Sequence, residues 1–278
     1  MPAELEITSP ANPRVKQLVA LRRRRARDEA GVTLVEGRAE IGLALAAGVR
    51  PRSLYYCPAL TGPQGSDLPE RARDLGADVI QVSRPVFEKA SYREGPDGWL
   101  AVVPAVDTSL SHLDPGSRPL ILACAGLEKP GNLGAILRTA DAAGIAAVIA
   151  ADPVTDWGNP NVVRASKGTL FSVPVAAAPS TEVLAWIAGR GLQVVAATPD
   201  AAVPVDDADF AGPTVIAVGA EQAGLPADWL ERADVCVRIP MFGRADSLNV
   251  SISAAIITYE AVRQRLQAGD ESYRQPAG

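Results

Sequence analysis

The chain has 278 residues, of which 47% are hydrophobic and 21% charged, enough for two modest cores but short of the ~20 consecutive apolar residues of a membrane span. Its N-terminal stretch, MPAELEITSPANPRV, lacks the charged start and apolar centre of a secretory signal, so a cytoplasmic protein with no membrane partner is expected. A net charge of −5 argues at face value against a nucleic-acid partner. The single histidine, His112, excludes a His-based triad or a His-rich metal site, and three widely spaced cysteines (Cys57, Cys124, Cys236) suit a reducing compartment.

Residues 9–27, SPANPRVKQLVALRRRRAR, read as a helical segment. Pro13 follows a capping Asn12, and Val15, Leu18, Val19 and Leu21 line one side. The overall acidity hides a basic run here: Arg14, Lys16, Arg22, Arg23, Arg24, Arg25 and Arg27, with no acidic residue among them. Such a run can be plain solvated helix surface. Four consecutive arginines nevertheless offer forked donors suited to phosphate, and their mutual repulsion asks for an anionic partner, so RNA contact is expected. Next come a strand at 32–37, a helix at 39–49 stopped by Gly48 and Pro51, and a strand at 53–58. After the loop 61–69 follow a helix at 70–76, a strand at 78–83, a short helix at 85–90 and a strand at 98–104. This alternation predicts a small α/β domain over residues 1–104. Residues 105–118, polar with Pro and Gly at both ends, have linker composition.

The second domain is expected over 119–268, followed by a disordered tail at 269–278. Its strands, 119–126, 145–152, 192–198, 213–219 and 235–240, are continuous apolar runs, and helices are read at 132–143, 180–189 and 250–266. That pattern predicts a mainly parallel sheet with helices on both faces. Ligands of such sheets sit beyond the carboxyl ends of the strands, here Thr198, Gly219 and Ile239 to Met241. No G-x-G-x-x-G follows a strand, so a dinucleotide site is not expected. Ser247 and Asn249 stand where a helix begins, and read alone they are an ordinary N-cap.

Three stretches share one grammar of strand, Gly/Asn-rich turn and helix. They are Asn132-x-Gly134-x-x-x-Arg138-Thr139, Gly219-x-Glu221-x-x-Gly224-Leu225 and Ile239-Pro240-Met241-x-Gly243-x-x-x-Ser247-Leu248-Asn249-Val250-Ser251. Together they resemble the three motifs of the SpoU/TrmH family of RNA ribose 2′-O-methyltransferases. NPRVKQL and TLVEG resemble short features of the substrate-binding domain that precedes the catalytic domain in many such enzymes. The resemblance implies a trefoil knot in the second domain, an RNA-binding first domain and S-adenosylmethionine as cofactor. It also implies a homodimer completed through the final helix and the first motif, whose small residues Ser251, Ser253, Ala254 and Ala255 would allow close packing.

By the same match, Thr198, Gly219, Ile239, Met241, Gly243 and Leu248 would hold the cofactor. The two glycines would let the main chain come close, and Ile239, Met241 and Leu248 would form apolar walls or simply core. Arg138 is the candidate acting on the 2′-hydroxyl. A guanidinium, with an ordinary pKa above ~12, would cost roughly 7 kcal/mol to deprotonate near neutrality, so a phosphate-gripping and orienting role is expected instead. Ser247 and Asn249 would position the nucleophile or relay its proton. Asn132 would brace the third motif or touch substrate, and Glu221 would receive backbone N–H groups at its own turn or pair with a basic residue. Arg164 and Lys167, in VVRASKGTLFSVPV, resemble a further family stretch suited to RNA phosphate. An N-terminal domain of this kind favours 23S ribosomal RNA. The alternatives are a tRNA 2′-O-methyltransferase, a small-molecule methyltransferase, or a non-catalytic RNA-binding protein of the same fold.

Overall fold

The computed structural model describes residues 5–62 and 67–273. The chain divides into two compact units, Met1–Val106 with Asp156–Ser172, and Asp107–Thr155 with Val173–Gly278.

The first unit runs β1 (Leu5–Ile7), α1 (Pro13–Ala20), α2 (Arg24–Ala30), β2 (Val32–Glu36), α3 (Arg38–Ala46), β3 (Ser53–Tyr56), α4 (Pro58–Thr61), α5 (Leu68–Asp74), β4 (Asp78–Val82), α6 (Arg84–Ala90) and β5 (Trp99–Pro104). Its sheet is mixed, in the order β1-β4-β3-β5-β2. The pairs β1 to β4 and β4 to β3 are parallel, while β5 runs antiparallel to both β3 and β2. Leu34, Ile80, Phe87 and Leu100 fill the core beneath it.

Asn12 caps α1 as expected, its side chain accepting from Arg14 N–H at 2.9 Å, with Pro13 in the first turn. The single N-terminal helix, however, is two. Arg27 is only 3% exposed and donates to the carbonyls of Leu21 and Arg22 at 3.2 and 3.0 Å, so the guanidinium takes the acceptors that a continuing helix would use. Its other end grips Asp156 with two contacts of 2.8 Å. Arg27 therefore belongs to the core and not to the basic surface.

Asp156 opens a segment expected as a loop of the second domain. From Asp156 to Ser172 the chain instead packs in the first unit, forming α8 (Pro160–Ala165) against β2. Gly158 is required there because a Cβ would meet Thr33 Oγ1 at 2.8 Å. Asn159 and Pro160 start α8 with the same cap-and-proline pair that starts α1.

The second unit comprises β6 (Leu120–Ala125), α7 (Pro130–Ala142), β7 (Ala147–Ala151), β8 (Val175–Ala178), α9 (Ser180–Ala188), β9 (Gln193–Ala197), β10 (Val203–Pro204), β11 (Thr214–Val218), α10 (Ala227–Arg232), β12 (Val235–Arg238) and α11 (Val250–Gln267). Seven strands in the order β10-β12-β9-β11-β6-β7-β8 form an entirely parallel sheet. The central strands are buried on both faces, which explains their unbroken apolar sequences. Cys124 lies fully inside β6, where loss of solvent pushes its thiol up to about 12, and Cys57 is buried in the first unit.

The expected linker is partly absorbed by this unit. Leu113 is buried in its core and Ala177 N–H donates to Thr108 carbonyl at 2.8 Å. Of the expected tail, residues 271–273 form a 3-10 turn in which the Tyr273 ring lies 5.8 Å from the Arg265 guanidinium, and residues 274–278 lie outside the described residues.

Candidate active site at three strand-to-helix turns

The carboxyl ends of β9, β11 and β12 open onto a cleft with a cavity volume of about 100 Å³. Thr198, Gly219, Ile239, Met241 and Leu248 line it, joined by Val218, Val237, Val250, Ser253 and Ile257. Gly243 does not line the cleft, and a Cβ there would meet nothing within 4 Å. Gly219 does line it, and its lack of a side chain has a further reason in the fold. A Cβ would strike the Gly224 carbonyl at 2.1 Å, so glycine is needed for the 219–225 turn to close on itself.

A cofactor with an adenine, a thioether-like chain and a positive sulfonium suits this cleft. The floor is apolar, Thr198 and Ser253 supply hydroxyls, and Asp246 adds a carboxylate to the lining beside Glu221, whose charge is already paired with Lys129.

At the rim one carboxylate ties the three turns together. Glu221, from the second turn, pairs with Lys129 and accepts from Asn132 Nδ2 at 3.2 Å and from Asn249 Nδ2. Asn249 Nδ2 also reaches Asn132 Oδ1 at 3.2 Å. Meanwhile Asn249 Oδ1 caps α11, accepting from Ser251 N–H at 3.0 Å and Ser251 Oγ at 2.6 Å. Asn132 lies in the first turn of α7, so the carboxylate faces the positive ends of two helices. The hydrogen bonds from Lys129 and Asn132 hold its pKa below the usual carboxylate value. Among the described residues the donors to Glu221 are thus side chains, with Lys129 as the basic partner, and not the backbone N–H groups of its own turn. Lys129 was missed by sequence reasoning; its place just before Pro130, at the N-cap of α7, was the available signal.

Glu221→Gln is expected to leave the melting temperature nearly unchanged but to lower turnover about tenfold, because the carboxamide keeps one acceptor oxygen for the two asparagines yet loses the charge and the second oxygen that hold Lys129, so the turns are held less firmly in register. A folded pKa lowered from 4.5 means the ionised network is complete above that pH and is lost as pH falls through the depressed value. The acid limb of the wild-type pH–rate profile should therefore vanish in the variant. Identical acid limbs would remove Glu221 from this role.

Two expected catalytic residues stand apart from this network within one chain. Arg138 is exposed on α7 and does not line the cleft, and its side chain makes no hydrogen bond or ion pair among the described residues. Ser247 is exposed on the loop between Asp246 and Leu248, both cleft residues, without lining the cleft itself.

The basic run of the first unit is less free than its sequence suggests. Arg14 pairs with the distant Asp78 at 3.1 Å, while Arg24 pairs with Asp28 at 3.6 Å and Arg25 with Glu29 at 2.7 Å, so two acids just beyond the run answer part of the repulsion. Arg22 donates to the Lys89 carbonyl at 2.6 Å and to that of Ser91. Lys16, Arg23, Arg164 and Lys167 are exposed, and Lys167 adopts a left-handed φ of 57°.

Residues 119–259, which carry all three turns, match the SpoU rRNA Methylase family, and residues 12–101 match an MRM3-like substrate binding domain. A 23S rRNA (uridine(2479)-2′-O)-methyltransferase of Streptomyces viridochromogenes is 35% identical, covering 95% of this chain and 94% of that protein. The crystal structure of an RNA 2′-O ribose methyltransferase superposes with a TM-score of 0.81 at 43% identity, covering 94% of this chain and 100% of that one. An AdoMet-bound rRNA methyltransferase from Sinorhizobium meliloti gives 0.85 at 34% identity, over 93% and 97% of the two chains. With its parallel sheet, its cleft at the strand ends and its three linked turns all falling inside the matched region, the chain belongs to the SpoU rRNA methylase family.

Proposed function

We propose that this protein transfers a methyl group from S-adenosylmethionine to a ribose 2′-hydroxyl of RNA, with 23S ribosomal RNA as the substrate. The observation that carries this reading is the Glu221 network, which gathers the three motif turns at the rim of a cleft suited to a sulfonium donor. When bound, the cofactor supplies an activated methyl for in-line displacement by the ribose oxygen. The chain's task is alignment and proton management. Thr198, Gly219, Ile239, Met241 and Leu248 hold the donor against the strand ends. Asn132 and Asn249, locked by Glu221, fix the turn that carries Ser247, and Ser247 positions the hydroxyl or passes on its proton. Arg138 grips the neighbouring phosphate through its forked donors.

In this reading the protein works as a cytoplasmic homodimer, and Arg138 completes the cleft of the partner subunit. Ile252, Tyr259 and Leu266 recur every seven residues along α11 and are 51%, 50% and 45% exposed, with Ile256 beside them at 38%. Such a stripe on a soluble helix favours a second copy as its cover. The trefoil threading belongs to the same reading, supported by the packing of α11 on both α7 and β11. No helix among the described residues is long and apolar enough to cross a membrane. The first unit serves as the RNA-binding module, with Lys16, Arg23, Arg164 and Lys167 as its freest cations and Arg14, Arg22, Arg24 and Arg25 contributing where RNA displaces their present partners.

Incubating the full chain with labelled cofactor and separate pools of unmodified ribosomal and transfer RNA tests this directly. Label is expected on a ribose 2′-oxygen of 23S RNA, from a protein whose mass by light scattering is twice 29.0 kDa. Cofactor binding without incorporation into any RNA would sink the enzymatic reading.

A further inference from the structure

The loop from β12 to α11 carries two side chains that neither the cleft nor the rim network uses. The Phe242 ring is 98% exposed, the barest large hydrophobic side chain on this loop. Two residues on, Arg244 is exposed and makes no hydrogen bond or ion pair among the described residues. Met241 and Asp246, which bracket them, both line the cleft. Both ends of the loop thus lie at the donor site, while the ring and the guanidinium between them are open to solvent.

A bare aromatic face beside a free forked cation suits single-stranded nucleic acid. Any unpaired base can stack on the ring, and a guanidinium takes phosphate oxygens in pairs. An apolar protein partner fits the loop less well, because Gly243 and Arg244 follow the ring directly and give it no continuous apolar surround. We propose that Phe242 and Arg244 form a nucleotide platform at the mouth of the cleft. The ring stacks on an unpaired base of the RNA segment being methylated, and Arg244 holds an adjoining phosphate. This assignment rests on the RNA methyltransferase reading above and adds to it the residues that seat the target segment.

The test uses the full chain, unmodified 23S RNA transcribed in vitro, and the variants Phe242→Ala, Phe242→Trp and Arg244→Ala. Equilibrium RNA binding is measured beside turnover, so that the two readings can fail separately. Phe242→Ala is expected to weaken RNA binding and raise KM roughly 5- to 100-fold, the range of one lost stacking contact. Cofactor affinity by calorimetry, melting temperature and molar mass stay unchanged, and Phe242→Trp restores binding. Arg244→Ala lowers the slope of log K against log salt by about one, whereas Phe242→Ala leaves that slope alone. Should Phe242→Ala bind RNA within twofold of a wild type that methylates it, the platform is wrong and the methyltransferase reading stands. A change in oligomeric mass on removing the ring would likewise overturn the platform, showing the ring to be a protein contact. Loss of RNA affinity in Phe242→Ala, alongside a wild type that transfers no methyl, would leave the platform standing without the enzyme.

Discussion

Arg138→Ala is expected to lower kcat on RNA by roughly 10²- to 10³-fold while cofactor affinity and melting temperature stay at wild-type values. The side chain is exposed on α7 and has no partner among the described residues, so its removal disturbs nothing that holds the unit together. The cleft does not include it, so the cofactor does not lose a contact within the same chain. On the proposed reading, what the variant loses is the grip on phosphate that turns the sugar oxygen toward the methyl donor. Arg138→Lys separates charge from shape: the ammonium keeps the positive charge but cannot offer two parallel N–H donors. Turnover of that variant should recover only a small part of the deficit in single-turnover assays on 23S RNA. Near-normal rates for Arg138→Lys would eliminate the forked contact.

The largest stability effect is expected at Arg265, which is fully buried near the end of α11. Its guanidinium makes no ion pair among the described residues and satisfies itself on backbone carbonyls. Nε donates to Phe210 at 3.0 Å, Nη1 to Arg118 at 2.7 Å, and Nη2 to Pro119 at 3.0 Å and Gly212 at 2.5 Å. One side chain thus ties the final helix to the entry of β6 and to the loop before β11. Arg265→Met fills the space but leaves several carbonyls dry, at a cost of about 3–5 kcal/mol. At ~2–4 °C per kcal/mol for a unit of this size, the melting temperature should fall by on the order of 10 °C. Arg265→Lys reaches fewer acceptors and should recover less than half of that. A Met variant melting within 3 °C of wild type, on the order of 1 kcal/mol by that scale, would mean the carbonyls find water or each other.

Arg265 also shows where sequence reasoning loses sight of the molecule. A helical arginine near a C-terminus reads as surface, and nothing local signals that four carbonyls from residues 118–119 and 210–212 converge on it. Arg27 was lost for the same reason: its carboxylate partner lies 129 positions away. Features set by neighbours along the chain were legible. The Asn12 cap, the doubly buried strands β6, β7 and β11, and the glycine-bearing turn at 219–225 were all apparent from spacing and side-chain size. Five of six expected cofactor residues line the cleft, because strand ends can be placed from hydrophobic runs. Gly243 stands outside the cleft lining, because a loop glycine carries no signal of how closely its backbone approaches a ligand. The helix α8 could have been found, since Asn159-Pro160 repeats the signal of Asn12-Pro13. The short edge strands β1 and β10, with three and two residues, have too little pattern to be read.

The detour of residues 156–172 into the first unit makes that unit impossible to trim away as a cassette. A chain begun at Asp107 would keep the excursion but lose its bed, baring Trp157, Val162, Val163 and Leu170 and stranding Asp156 without Arg27. Any lineage or engineer shortening this protein to a lone catalytic half must rewrite the seventeen residues between Thr155 and Val173 in the same step.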